Sequence, residues 1–389
     1  MKELTSQKQK FDLPKEVAYL NCANISPLSK KLVNLGKEAI DLRTKPYEIS
    51  IQDWFDPVES VKKSFARLIN CENHQRIALI PSVSYGIASV AQNIELKTGD
   101  EIIVVGEQYP SNYYSWVSIA EKYGGKIKTV DAPKTANKGE VWNEQILEAI
   151  NEKTKVVALG NVHWTDGTLF NLADIREKAN QYKALLIIDG SQSIGALPFD
   201  INKIRPDAVF CVGYKWLMGP FSLGLAYFGE YFDNGRPLEE NWINRKDSDN
   251  FQGLVDYTFE YRPYAGRYNI GENSNFHLLP ILKGALEQLE EWSPRRIQDY
   301  CNKLTYEPIA ELRKSGCVIE NEANRSKHLF GIRFNRPIDL KQLQHRFIEN
   351  KIYASLRGEA LRISVNVYND ASDMDRLVGV IKKEIVTKI

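Results

Sequence analysis

Between residues 76 and 230 the hydrophobic positions fall into short, unbroken runs. "RIALI" (76–80), "EIIVV" (101–105), "KVVAL" (155–159), "ALLIID" (184–189), "AVFCV" (208–212) and "LGLAYF" (223–228) each read as a strand. A strand covered on both faces has no solvated side, so its apolar residues run continuously instead of alternating. Amphipathic stretches such as "NLADIREKANQYK" lie between several of these runs, the order expected of a mostly parallel sheet flanked by helices. Ahead of the block, "FDPVESVKKSFARLIN" places Val58, Val61, Phe65 and Leu68 on one helical face. Behind it, residues 230–275 lose all periodicity and are rich in aromatics and arginine.

A long helical pattern begins near Asn275, with Pro280 either opening or bending it. "SPRRIQDYCNKLTYEPIAELRKSG" follows as a second helix, Ser293 its cap and Pro294 in its first turn. The tail then reads strand, strand, helix, strand, strand, helix: "CVIE", "HLFGIRF", "DLKQLQHRFIEN", "IYASL", "LRISVNV" and "ASDMDRLVGVIKKEIV". The pattern predicts an α/β protein. Residues 31–280 form a large domain with a mostly parallel sheet between helices, and 281–389 a smaller α+β domain. Residues 1–30 are an N-terminal segment packed near the active site and the small domain.

Composition narrows the function classes. The 389 residues carry 51 basic and 50 acidic side chains, so no bulk attraction to nucleic acid or to an anionic membrane is expected. No apolar run approaches the ~18 residues of a membrane span. The N-terminus lacks an apolar signal core, and a cytoplasmic location is expected. Cys22, Cys71, Cys211, Cys301 and Cys317 are scattered, odd in number and without a CxxC pair, which argues against a disulfide or zinc framework. No HExxH, GxGxxG or GxxxxGK[ST] motif is present, so no metal site is expected and nucleotide sites lack their signatures.

The unusual polar residues cluster at the C-terminal ends of the strands, where open α/β sheets bind ligands. "RIALI" is followed by "PSVSYGIASVAQNI", a loop entering a helix whose first amides, near Val83 and Ser84, suit a phosphate. "EIIVVGEQ" leads to Tyr109, a ring able to stack on a flat ligand. "KVVAL" leads to "GNVHWTDG", and "ALLIID" to "GSQS". "AVFCV" then delivers Lys215, although lysine is rarely buried without a partner. Pyridoxal 5'-phosphate (PLP) needs such a set: an amine for its aldehyde, an acid for its pyridine nitrogen, an amide for its ring oxygen, an aromatic face and a helix start.

"IIDGSQSIGALPFDI" followed by "VGYKWLMGP" resembles the class V aminotransferase superfamily, which includes cysteine desulfurases, selenocysteine lyases, kynureninase and isopenicillin N epimerase. The resemblance runs from "YLNCANISPLS" to "LRISVNVYND" and implies a PLP fold-type I enzyme, a homodimer with shared active sites. By that resemblance Lys215 would form the aldimine, Asp189 would pair with the pyridinium and Gln192 would reach the ring oxygen. Tyr109 would stack, Val83 and Ser84 would hold the phosphate, and Tyr214 would contact it. His163 and Trp164 stand where desulfurases carry an asparagine near the ring oxygen. Asn273 or Ser274 would touch the neighbouring subunit's cofactor. Arg362 would clamp the substrate carboxylate, a bidentate task suited to guanidinium, with Arg357 as its rival and Asn24 nearby. Desulfurases also carry a nucleophilic cysteine before that arginine, and "IYASLRGEALR" has none. The resemblance therefore implies an enzyme acting on a small α-amino acid through an external aldimine and carbanion, by transamination. Cleavage of the selenocysteine-lyase, desulfurase or kynureninase kind, or epimerisation, are the alternatives. A PLP-binding protein without turnover is disfavoured by the intact Asp189, Gln192, Lys215 and Arg362.

Overall fold

The computed structural model describes residues 3–135 and 137–386. β1 (Ala18–Tyr19) lies in the N-terminal segment. The main sheet consists of β2 (Ile77–Ile80), β3 (Glu101–Val105), β4 (Lys126–Val130), β5 (Thr154–Gly160), β6 (Leu185–Asp189), β7 (Ala208–Val212) and β8 (Gly224–Phe228). Their order is β2-β8-β7-β6-β5-β3-β4. β3 to β7 pair in parallel. β8 runs antiparallel between β2 and β7, so β2 points the same way as β7. The chain reverses its direction across the sheet between β3 and β5, and the strand ends there open a crevice.

Continuous apolar runs are explained by two cores. Ile102 and Val104 of β3 enter one, with α3 (Val83–Ala91) and α4 (Tyr114–Tyr123). Ile103 and Val105 enter the other, against α2 (Asp56–Leu68), α5 (Lys138–Ala149) and α6 (Leu172–Gln181). Val58, Val61 and Phe65 of α2 are buried and Leu68 packs beside them, as the helical face predicts. β4, "KIKTV", was not legible as a strand: it is the sheet's edge, where Lys126 is exposed and Lys128 is half-buried with its Nζ donating to the Ala149 carbonyl.

α8 (Leu279–Trp292) takes Pro280 into its first turn, so the proline opens that helix and does not bend it. α9 (Pro294–Lys314) is capped by Ser293, whose Oγ accepts from the Arg296 N–H. The second sheet has the order β12 (Ser355–Arg357), β13 (Ala360–Ser364), β10 (Leu329–Phe334), β9 (Cys317–Val318), all antiparallel. "IYASL" divides between two sheets. Its start, β11 (Ile352–Tyr353), pairs with β1, and its end is β12. The N-terminal segment thereby bridges the two sheets' regions: the Ser26 N–H donates to the Tyr214 carbonyl, and the Ala23 N–H to Ser364 Oγ. Among the described residues no helix is long and apolar enough to cross a membrane.

Candidate active site

β7 is buried along its whole length and carries the chain directly to Lys215, which is 8% exposed. A Cβ on Gly213 would sit 2.5 Å from the Leu223 carbonyl oxygen, so only glycine lets the turn after β7 close this tightly. Among the described residues the Lys215 amine has no hydrogen bond and no ion pair. It lies 5.2 Å from the Tyr109 ring centroid and 5.7 Å from that of Tyr214. Burial draws its pKa down from 10.5 to about 8, with Asp189 pulling upward and Arg362 pushing down.

Asp189 ends β6 and lines the same cavity. Burial pushes its carboxyl up, while the bonds from Ser191 and the nearby lysine favour the ionised form. The Ser191 N–H donates to Oδ1 at 2.9 Å. Gln192 is held from three sides: its Nε2 donates to the Ala23 carbonyl, its Oε1 accepts from Trp216 Nε1, and its backbone carbonyl meets His328 Nε2 at 2.7 Å. One N–H of the amide remains for a ligand.

Across the cavity, α3 begins with its cap on Ser82, whose Oγ accepts from the Tyr85 N–H. Ser84 Oγ lies 2.8 Å from Ser82 Oγ. The Val83 and Ser84 amides have no acceptor among the described residues, and both residues line the cavity. Free amides at a helix start are a fitting seat for a phosphate. The group implied by the sequence fits here: an unpaired amine, a strand-end carboxylate, a clamped amide, an aromatic face and open helix N–H groups share one cavity.

The last wall belongs to Trp164. Its ring meets Tyr109 edge-on, with centroids 5.5 Å apart, and its Nε1 donates to the Glu107 carbonyl. Arg362 Nη1 donates to the Trp164 carbonyl at 3.0 Å. Arg362 is 1% exposed, its Nε and Nη2 have no partner, and it forms no ion pair among the described residues. Burial lowers its pKa to about 9, with Arg357 adding to the effect. Arg357 is half-buried, its guanidinium 5.7 Å from the Trp164 ring centroid and its Nη2 3.4 Å from Asn24 Oδ1. Asn24, Arg357 and Arg362 thus come together beside Trp164.

One residue expected at this cavity lies elsewhere. His163 neighbours Trp164 in sequence but turns away from the cavity. Its Nδ1 lies 2.8 Å from Thr165 Oγ1, and its ring packs on Trp142. There it belongs to a buried cluster around Asp166, which also binds Lys138 and Arg333. Asn273 and Ser274, expected at the neighbouring subunit's cofactor, are buried beside Asn244 and Trp54, outside this chain's own cavity. Sequence reasoning passed over Ser82, Ser111, Ser191, Phe221 and Ser222, which do line it. The serines carry no pattern of their own. Phe221 was findable only as an apolar residue just before a strand. No cysteine lines the cavity; Cys22, Cys211, Cys301 and Cys317 are buried and Cys71 is half-buried.

Comparison with known proteins bears on the family and the fold. The family model described as aminotransferase class-V matches residues 51–377. An uncharacterized aminotransferase of Schizosaccharomyces pombe is 22% identical over 96% of this chain and 93% of its own. The cysteine desulfurase CsdA of Escherichia coli superposes with a TM-score of 0.81 at 20% identity, over 98% of both chains. A C-DES variant with glycine covalently linked to its PLP cofactor gives a TM-score of 0.88 at 17% identity, over 98% of this chain and all of that one.

Proposed function

The chain belongs to the aminotransferase class-V family and uses pyridoxal phosphate, and from that premise we propose that it transfers the amino group of a small α-amino acid. The groups that would hold the cofactor are the Lys215 amine for the aldehyde, Asp189 for the pyridine nitrogen and the free Gln192 N–H for the ring oxygen. Tyr109 would cover a ring face, and the Val83 and Ser84 amides, with Tyr214 alongside, would take the phosphate. Bound there, the cofactor supplies an electron sink for the negative charge left at the substrate's α-carbon.

The chain's own residues do the rest. Arg362 orients the amino acid through its carboxylate, and Lys215 Nζ takes the α-proton and returns it to a different carbon. With a pKa of about 8, about a tenth of the Lys215 amine is neutral at pH 7. At an ordinary pKa of 10.5 the neutral share would be roughly three parts in ten thousand. Desolvation therefore enlarges the reactive fraction about three-hundredfold, a gain that a solvated lysine does not offer. The unpaired nitrogens of Arg362, Nε and Nη2, are buried. Trp164, which touches both the cavity and the guanidinium, is the group placed to give way to a carboxylate.

One observation carries this reading. Among the described residues, a dry amine without a partner and a buried guanidinium without a carboxylate lie beside one cavity. A buried cation left unpaired costs stability, and a substrate acid removes that cost. Transamination is preferred to sulfur transfer because no cysteine reaches the cavity to serve as a sulfur acceptor. The test is a panel of amino acids given to the PLP-loaded protein, scored separately for keto acid, alanine, sulfide and racemised product. Keto acid is expected; sulfide, alanine or racemised product without keto acid would replace this reading by lysis or epimerisation.

A further inference from the structure

We infer that the amino acid bound here carries a second anionic group on its side chain, a carboxylate, and that Arg357 receives it. The inference rests on the site being that of an amino-acid enzyme, and adds the class of substrate. Two guanidinium groups bracket Trp164: Arg362 bonds to its carbonyl, and Arg357 lies over its ring. The backbone dictates this convergence. β12 and β13 are adjacent antiparallel strands, with Ser355 opposite Arg362 and Arg357 opposite Ala360, so the two arginines are diagonal neighbours on one face of the ladder, within reach of each other for side chains this long.

Neither arginine meets a carboxylate among the described residues. Arg357 bonds only to its own neighbour's carbonyl, Leu356, at 2.7 Å and to Asn24 Oδ1 at 3.4 Å. Asp189 answers a pyridine N–H, the amides of α3 answer a phosphate, and one guanidinium answers the substrate's α-carboxylate. The second guanidinium, Arg357, then faces the Trp164 ring, the Leu356 carbonyl and Asn24 Oδ1, but no anion among the described residues. Two like charges drawn together without an acid between them repel, and a dianionic ligand that spans them turns that repulsion into binding. A monocarboxylic amino acid would leave the repulsion in place. Arg357 is half-buried rather than sealed, so a side-chain carboxylate can reach it from the cavity mouth, where Asn24 is exposed.

The test has two arms on the PLP-loaded protein. Absorbance titrations compare aspartate and glutamate with asparagine, glutamine and alanine. Calorimetry compares succinate with butyrate, neither of which has an amine to react with the cofactor. The acidic amino acids should bind roughly tenfold to a hundredfold tighter than their amides, the range of a charge-assisted bond, and succinate should exceed butyrate by a similar factor. Arg357→Gln should bring the acid-to-amide ratio to near one, and Arg357→Lys should restore part of it. The ratio is internal to each variant, so a general loss of folding does not imitate the effect. Amino acids that bind with no preference for the acidic ones, or a preference that survives Arg357→Gln, overturn the inference and leave the proposed function standing. If no amino acid perturbs the cofactor's spectrum, the amino-acid reading itself is refuted, and the inference goes with it.

Discussion

Replacing Lys215 with methionine keeps the length of the buried stem and removes its charge, so the cofactor-free protein should become more stable at pH 7. Burial lowers the lysine's pKa from 10.5 to about 8. At about 1.4 kcal/mol per pKa unit, the protonated amine costs the folded state on the order of 3 kcal/mol. Asp189 returns part of this in the variant, because its carboxyl, already pushed up by burial, loses a favourable cation. The net gain is about 1–3 kcal/mol. The pH dependence fixes the cause. Between pH 8 and 10.5 the unfolded chain holds a proton on Lys215 that the folded chain has released, so wild-type stability rises with pH across that window. The variant has no such rise. Its advantage should be complete below pH 8 and should close toward pH 10.5. Guanidinium unfolding of both cofactor-free proteins at pH 7, 8.5 and 10, followed by circular dichroism, measures the gap. A variant no more stable than wild type at pH 7, with a gap indifferent to pH, would refute the claim that this lysine is held dry.

Three further outcomes are expected. Asp189→Asn should keep the fold and the cofactor but lose about a hundredfold or more in turnover, the scale of a removed electrostatic stabiliser, because a neutral amide cannot hold a pyridine nitrogen protonated; near-normal turnover would make Asp189 a turn residue only. Arg362→Ala should retain cofactor absorbance and lose about 1.5–3 kcal/mol of affinity for α-carboxylate substrates, with simple amines little affected. Equal loss for both kinds would refer the defect to folding. Replacing all five cysteines by serine or alanine should leave the cofactor chemistry intact at some cost in stability, since four of them are buried; a sulfide-releasing activity that one replacement abolishes would show a missed nucleophile.

The parts of the fold that could be read in advance are those whose burial is one-sided or complete. β3, β5, β6 and β7 bury nearly every residue, so their apolar runs announce them. The direction of β8 was not readable, because an antiparallel strand between covered neighbours is as apolar as a parallel one. Alternation along "LRISVNV" puts Arg362, Ser364 and Asn366 on one face of β13 and its extension, and all three meet neighbouring chain segments. Arg362 meets Trp164, Ser364 meets Ala23, and Asn366 meets Cys22. His163 shows the limit of sequence adjacency: successive residues in a loop point to opposite sides, and its ring is claimed by Asp166 and Thr165. Asn273 and Ser274, assigned by motif to the neighbouring subunit's cofactor, lie in the irregular 230–275 stretch, which has no periodicity from which to read a direction.

The central claim is that Lys215 Nζ carries the cofactor. Borohydride reduction of the PLP-loaded protein, followed by peptide mass analysis, tests it most directly. The account predicts loss of the visible absorbance band and a reduced cofactor recovered on the peptide containing Lys215, with Lys215→Ala giving no such adduct. Recovery of the reduced cofactor on another lysine, or an undiminished yield of adduct in Lys215→Ala, would contradict it.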